Sequence, residues 1–496
     1  MNVLEPFGEV RASSASQALA PLVGKFGVYL CVVSFACVYY VINGPQLLGH
    51  YDLGWHLAAG DLIRDRGSVP FQDPWSFTLG DRQWFNASWL WDVLASLVFQ
   101  YARFDGLLAL VVACGALMAG YLTAICRRAG ASAVAVCATV FLVCLLYPSF
   151  ASFPNIYLAA APNMATMLFS VVFYGECLKK PRWFVFPLLM LLWVNLHGGF
   201  VLGFLILGVF GGVALLRRDW TSVNTYSIAG VGCFAAIFVN PLGWQIYYGV
   251  VTTVGHFVQG YITEWLPYAQ NISWPGSIPG MIYILAFAYL ELRFGRVARI
   301  PLEARLLSWL FLALGFYQFR YLAFFFLFSS VVLALHIDRL LSKTSDQLKI
   351  EKSLFAAGLM GLCALPLAFA QVRPALGFPQ ILSEQDAAYL KTHFAHARIL
   401  NHWNVGGLLI FYARGDVPVF VDGRAATAYP DDLLHDYFKL PEMEIDEAAW
   451  DAVLAKYRID AVLWVKAHEQ LRRFLVDKRG WKEVYAGNYE SVYAKP

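Results

Sequence analysis

Residues 50–78, HYDLGWHLAAGDLIRDRGSVPFQDPWSFT, follow directly on the first strongly apolar stretch of the chain and hold four carboxylates, two histidines and two tryptophans. Asp52 and His56 stand four residues apart, a spacing that puts both on one helix face, with Gly60 one turn further on. A carboxylate so placed can act as a general base or as a ligand of a divalent cation such as Mg2+ or Mn2+. Trp55 lies beside them. The charges that follow, Asp61, Arg64, Asp65 and Arg66, read as a solvated loop.

Four further constellations carry chemistry-bearing side chains. In YITEWLP, Glu264 is the lone carboxylate of residues 242–276, next to Trp265, and apolar surroundings make such an acid expensive to desolvate. In GFYQFRYLAFF, Arg320 interrupts an apolar stretch; its planar fork suits phosphate or carboxylate oxygens, and Gln318 adds a donor. In LLWVNLHGGFVLGF, Asn195 and His197 break two apolar halves and Gly198–Gly199 allow a reversal, an arrangement tolerated where protein or a water-filled cavity surrounds it. VNPLGW, at 239–244, is a similar break. In NHWNVGGLLIFYARGDVPVFVDGR, Trp403 and Asn404 open an aromatic-polar-glycine turn, and Asp422-Gly423-Arg424 follows an apparent strand, where loops hold binding residues.

These groups need a scaffold, and the composition names it. The chain has 496 residues, 59% hydrophobic and 14% charged, against about 25% charged in soluble domains. It reads as a polytopic α-helical membrane protein. Apolar segments of spanning length lie near 27–48, 106–126, 132–149, 163–178, 182–196, 199–216, 224–241, 277–293, 301–317, 319–337 and 353–372. Basic clusters at Arg127/Arg128, Lys179/Lys180/Arg182, Arg217/Arg218, Arg293/Arg296/Arg299 and Arg339/Lys343/Lys349/Lys352 mark cytoplasmic turns. Only if 88–103 lies in the interface rather than crossing do all five clusters share one side, which leaves about eleven transmembrane helices. The first apolar run is too long for a signal-peptide core, so it is expected to stay as an uncleaved span with a cytoplasmic N-terminus. The loop 49–105, the segment 150–162, the break at 195–199, residues 242–276, a bend near 317–320 and everything after 372 then fall outside the cytoplasm.

From about residue 380 the pattern changes. ARILNHWNVGGLLIFYARG, VPVFVDGR, IDAVLWVK and EVYAGNYESVYA look strand-like, while SEQDAAYLKTHF and DEAAWDAVLAKY look helical. The expected organisation is a transmembrane domain, 1–372, with its extracytoplasmic first loop 49–105, and an extracytoplasmic α/β domain, 373–496. The net charge of +3 gives no footing for nucleic acid, and no phosphate-binding G-x-x-x-x-G-K-[ST] loop occurs. The nine cysteines fall in or beside apolar segments and read as small hydrophobes.

With an acidic first loop, an interfacial helix, short basic inner turns and a C-terminal α/β domain, the chain resembles the GT-C superfamily of integral-membrane glycosyltransferases, which includes oligosaccharyltransferases, protein O-mannosyltransferases and aminoarabinose transferases. Asp52 falls at the place of that superfamily's first-loop catalytic aspartate. Thr263-Glu264 resembles the Thr-x-x-Glu loop motif of oligosaccharyltransferases at shorter spacing, and Arg320 resembles the late-span arginine that holds the lipid phosphate or the acceptor. HWNVGG at 402–407 lies where oligosaccharyltransferases carry Trp-Trp-Asp-Tyr-Gly, here with Asn404 for the acid and no tyrosine. The group D-x-x-W-H, N-L-H-G-G, N-P-x-G-W and V-D-G-R is also similar to a bacterial family of GT-C-like membrane proteins. The resemblance implies a bacterial inner-membrane enzyme. It would move a sugar from a polyprenyl-phosphate-linked donor to a glycan, lipid or protein acceptor at the extracytoplasmic face. Asp52, Glu264 and His56 would be catalytic, and Arg320 and Gln318 would hold the phosphate. His197, Asn195, Trp55, Trp265, Trp403, Asn404, Asp422 and Arg424 would line the cavity, with Asp52 and Glu264 as ligands of any Mg2+ or Mn2+. A lipid or glycan transporter and a non-catalytic glycan-binding scaffold remain as alternatives; a transporter should show ionisable groups near the bilayer centre, whereas here they gather at one face.

Overall fold

The computed structural model describes residues 14–80, 82–149, 159–253, 255–271, 277–295, 300–341, 347–440, 444–466 and 468–496. Most of the segment 150–162, with Arg296, Arg299 and Lys343 of the basic turns, lies outside the described residues. Apolar segments in lipid must satisfy their backbone internally, and helices do so. Helices run over Ser14–Ile42, Trp89–Arg128, Ala133–Ser149, Asn163–Cys177, Val185–Leu196, Val201–Leu216, Trp220–Ile237, Ser277–Phe294, Leu302–Tyr317, Leu322–Leu340 and Gln347–Val372. Among the described residues, four stretches are both long and apolar enough to cross a membrane: Trp89–Arg128, Gly198–Leu216, Phe319–Leu340 and Ile350–Ala375.

Residues 89–102 form a helix of their own within the 40-residue element Trp89–Arg128: the chain breaks at Arg103, whose φ of 49° and ψ of −142° are not helical, before the next apolar helix begins. The first part of this element lays Trp91, Asp92, Ala95, Ser96 and Phe99, a 3.6-period stripe, into the protein interior. There it packs against the first-loop helix Leu53–Arg66.

The packing of the first and last apolar helices fixes which ends lie together. Gly358 sits directly on Leu30 and Cys31, and Gly361 on Ser34. Small residues let helix backbones approach closely where no hydrophobic drive exists between helices. Because 358 pairs with 30–31 and 361 with 34, the two helices run parallel. The first loop, which follows one, and the C-terminal α/β part, which follows the other, therefore emerge at the same end. Basic turns gather elsewhere: the Ser132 N–H donates to Asp338 at 2.8 Å, and Arg217 bonds Glu303 at 2.6 Å.

The C-terminal part holds a four-stranded sheet in the order β1-β2-β4-β3. β1 (Ile399–Asn401) pairs parallel with β2 (Ala461–Val465); β4 (Glu490–Ala494) pairs antiparallel with both β2 and β3 (Lys482–Ala486). Two strand expectations are corrected here. WNVGGLLIFYA is a helix, Trp403–Ala413, entered through His402, whose side chain accepts the Asn404 N–H. VPVFV is extended but outside the sheet: Val419 bridges Ser76 of the first loop instead.

That bridge is part of a shared core. Trp55, Ala58, Trp75 and Trp84 of the first loop are buried with Leu408, Val419, Phe420 and Trp464 of the C-terminal part. At its centre lies Arg424. Its Nε and Nη2 donate to the two oxygens of Asp422 at 2.8 and 2.7 Å, Nη1 donates to Asp73, and Nη2 also reaches Ser76 at 3.0 Å. The side chains of Arg424, Asp422 and Asp73 are all wholly buried. Trp75 and Trp84 cover the guanidinium, with ring centroids 5.1 and 5.0 Å from Cζ. Burial alone would raise the Asp73 pKa, but the Arg424 charge overrides it and holds the carboxyl below its usual range.

Removing one partner of a buried ion pair leaves an uncompensated charge, typically at about 3–5 kcal/mol. Arg424→Met is therefore expected to lower the thermal midpoint of the detergent-solubilised protein sharply, and an unchanged midpoint would contradict the assignment. A second buried acid behaves oppositely. Neither oxygen of Glu490 has a hydrogen-bond partner among the described residues, and burial, with Asp386 nearby, raises its pKa to about 8. Folding then takes up a proton between the ordinary glutamate range and pH 8, so stability falls as pH rises through that window. Glu490→Gln should raise the midpoint at pH 8, with the difference vanishing near pH 4.5.

Candidate functional site

Asp52 occupies the N-cap position of the helix Leu53–Arg66. Its backbone N–H donates to His50 Nδ1 at 3.2 Å, and the same ring nitrogen lies 3.9 Å from Asp52 Oδ2. The carboxylate, 30% exposed, rests on Gly423: a Cβ there would come within 1.7 Å of Oδ1. Glycine is thus required in the Asp422-Gly423-Arg424 turn by the approach of Asp52, while the flanking side chains turn inward. Asp422 and Arg424 were expected to line a cavity; the structure pairs them with each other and with Asp73 inside the core.

One turn beyond Asp52, His56 is buried, with Nδ1 2.6 Å from Asp92 Oδ1. The second Asp92 oxygen accepts from Asn86 Nδ2 at 2.8 Å. A carboxylate on Nδ1 fixes the ring and leaves Nε2 as the working position. Trp55 stacks beside His56 at 3.6 Å between centroids, but its ring belongs to the shared core, edge-on to Trp84.

Arg320 sits in a one-turn 3-10 segment, Phe319–Tyr321, between two apolar helices. Its Nη1 is 3.9 Å from Glu264 Oε1, and its guanidinium lies 4.0 Å from the Trp265 ring centroid, a cation–π distance. The other oxygen, Glu264 Oε2, is buried without a hydrogen-bond partner among the described residues. Gln318, also buried, donates from Nε2 to Gln259 Oε1 at 2.8 Å, and the Phe319 N–H donates to Leu266 O at 2.9 Å. These bonds tie the Arg320 turn to the loop that carries Glu264.

Asn195 and His197 divide the work of the NLHGG break. Asn195 Oδ1 accepts from Trp89 Nε1 at 2.9 Å and from Asn240 Nδ2 at 3.1 Å, and its Nδ2 donates to Leu191 O and Val239 O. Two of these bonds join this break to that of VNPLGW, and the one from Trp89 ties it to the helix Trp89–Arg128. Among the described residues His197 has two partners, both on Nδ1: Thr166 Oγ1 of the helix Asn163–Cys177 at 2.7 Å and the Gly199 N–H at 3.2 Å. Burial, then the neighbouring Arg320 and His56, push its pKa down to about 3. Trp89 bonds Asn195 and Ala87 faces Gly198, while Val258, next to the Gln259 that bonds Gln318, is buried in the same core as Trp55, so the first loop, the NLHGG break and the Arg320 turn meet at one end.

Trp403 and Asn404 are half-buried at the start of their helix. Trp403 packs on Phe438 at 5.1 Å, and Phe438 stacks on Tyr261 at 4.8 Å, three residues before Glu264. They therefore border the Glu264 loop from the C-terminal side.

Sequence reasoning missed Asp92, Asn86 and Thr166. Asp92 carries a signal, a lone acid on an apolar helix. Thr166 carries none. Among the described residues no three His, Cys, Asp or Glu side chains stand together as a cation site. The orphaned Glu264 Oε2 and the partly open Asp52 carboxylate are nevertheless hard oxygen donors of the kind that Mg2+ or Mn2+ takes together with phosphate and water.

No protein-family model matches the sequence, and no curated protein matches it. Solved structures do match it in fold. The apo form of the Archaeoglobus fulgidus oligosaccharyltransferase superposes with a TM-score of 0.59 at 14% identity, over 94% of this chain and 72% of that one. AglB from the same organism, in complex with an inhibitory peptide and a dolichol-phosphate, gives 0.57 at 12% identity, over 94% and 71%. The A. fulgidus enzyme in complex with Zn and sulfate gives 0.51 at 13% identity, over 94% and 73%. The chain thus has the fold of the archaeal oligosaccharyltransferase, as its resemblance to the GT-C superfamily implies.

Proposed function

We propose that this chain is a membrane glycosyltransferase that moves a sugar from a polyprenyl-phosphate- or diphosphate-linked donor to a glycan, lipid or protein acceptor. The observation that carries the reading is the convergence of the Arg320 guanidinium, paired with Glu264, on the end where Asp52 rests on Gly423. The fold adds support, and so does the dolichol-phosphate and peptide bound by the archaeal neighbour. Counting the basic turns as cytoplasmic puts this end outside a bacterial inner membrane, with about eleven spans and the N-terminus in the cytoplasm. The division into a transmembrane domain, 1–372, and an extracytoplasmic domain, 373–496, belongs to the same reading, with the first loop reaching into the second core.

The donor's isoprenoid tail lies among apolar helices and its headgroup meets Arg320. Charge on the departing phosphate grows as the glycosidic bond breaks, and a guanidinium held by Glu264 and Trp265 needs no reorganisation to meet it. Asp52 takes the acceptor's proton on the opposite face, so a single displacement inverts the anomeric carbon. His56, oriented by Asp92 and Asn86, stands one turn away as a further proton acceptor. A divalent cation, if bound by Asp52 and Glu264, would supply Lewis-acid stabilisation of phosphate oxygens.

Asp52→Asn and Arg320→Ala should each lower glycan transfer by about 10²–10³-fold in membranes supplied with polyprenyl-linked sugar, with insertion and expression unchanged. Gly423→Ala should act in the same direction by displacing the Asp52 carboxylate. Mass spectrometry of envelope glycans from the variant strains reads the outcome. Full transfer in Asp52→Asn would end the proposal, as would altered lipid flux with no covalent product.

A further inference from the structure

Three hydrogen bonds around His197 fix more than its position. An indole N–H can only donate, and Trp193 Nε1 points at Thr166 Oγ1 from 2.9 Å. The Thr166 oxygen is thereby an acceptor from Trp193, and its own proton is left to donate across 2.7 Å to His197 Nδ1. The Gly199 N–H, which also can only donate, reaches the same Nδ1 from 3.2 Å. Two donors on Nδ1 require that nitrogen to be the lone-pair acceptor, so the single proton of the neutral ring sits on Nε2. The lock is tightly built. A Cβ on Gly199 would lie 2.5 Å from Thr166 Oγ1 and 2.9 Å from His197 Nδ1, whereas one on Gly198 would meet only the Ala87 Cβ at 4.0 Å. Of the two adjacent glycines, Gly199 is the one the network demands.

His56 is held in the opposite sense. Its Nδ1 faces the Asp92 carboxylate, an acceptor when ionised, which makes Nε2 the accepting side of the neutral ring. Neither His197 Nε2 nor His56 Nε2 has a hydrogen-bond partner among the described residues. With Asp92 ionised, the two rings therefore offer the site one donor and one acceptor, and the Arg320 charge acts on His197.

We infer that His197 is a tautomer-locked, neutral hydrogen-bond donor that, together with Arg320, grips a phosphate oxygen of the lipid-linked donor, and that it takes no part in proton abstraction. The lock rests on local geometry alone; the identity of the ligand rests on the function proposed above. A neutral donor beside a fixed guanidinium holds an anionic oxygen by direction without adding a second positive charge to an already cationic pocket. It also keeps the base of the reaction elsewhere: Nδ1 is occupied and Nε2 already carries its proton.

The full-length protein with nitrogen-labelled histidine, in nanodiscs at pH 7, tests this by NMR, with His197→Gln identifying the resonance. The expected spectrum has an unprotonated Nδ1 and a protonated Nε2. Thr166→Val should blur this into a mixture of tautomers, and farnesyl phosphate should move the Nε2–H signal. A proton on Nδ1, or a doubly protonated ring, overturns the lock. A locked ring that ignores farnesyl phosphate overturns the ligand. In the transfer assay His197→Leu should raise the KM for the donor lipid about 10–100-fold, the range of one hydrogen bond to a charged group, with His197→Gln restoring most of it. Loss of kcat alone, with KM unmoved, would overturn the binding role. Should Asp52→Asn leave transfer intact while the Nε2–H tautomer is seen, the proposed function fails and the lock stands.

Discussion

A guanidinium buried between two carboxylates holds the first loop and the C-terminal part of this molecule together. Arg424 and Asp422 come from one turn and Asp73 from the first loop, 351 residues earlier. Taking three charges out of water is unfavourable unless geometry satisfies them, and here the fork is met on both edges and covered by Trp75 and Trp84. With this contact in place, Gly423 is presented to Asp52 at van der Waals distance. The N-cap of the first-loop helix is then fixed relative to the C-terminal sheet, and one turn later His56 is fixed relative to Asp92. The position of the candidate acid is thus a property of two distant chain segments rather than of its own loop.

The remaining side of the site has a different support. Arg320 sits in a single turn between apolar helices, where nothing but its neighbours can neutralise it. Glu264, Trp265 and Gln259, the partner of Gln318, come from one loop, and that loop is pinned to the C-terminal part by aromatic contacts, Tyr261 on Phe438 and Phe257 on His435 at 3.6 Å. The C-terminal part therefore touches both halves of the site and acts as their common reference.

What the sequence showed follows from how strongly each residue contrasts with its surroundings. Glu264 and Arg320 stand out because a charge in an apolar stretch needs a reason, and the structure pairs them. The apolar segments likewise predict the helices well, since in lipid the backbone has little choice. The turn Asp422-Gly423-Arg424 misled: it has the composition of an exposed loop, and nothing local reveals that its partner is Asp73. VPVFV alternates like a strand, yet Val419 finds Ser76 rather than the sheet. Residues 88–103 were separated from the next helix on charge grounds, and the chain meets that demand with one non-helical residue, Arg103, rather than a loop. Thr166 was invisible because a threonine on an apolar helix is unremarkable until its hydroxyl is found between Trp193 and His197.

The distance along the chain between Asp73 and Arg424 has a consequence for biogenesis. At about 5–20 residues per second, a ribosome needs roughly 20–70 s to travel between them. Throughout that interval the first loop exists with Trp75 and Trp84 uncovered and an acid whose counter-charge has not yet been made. A chain that stops before residue 424 therefore lacks the one group that neutralises Asp73 and packs between Trp75 and Trp84.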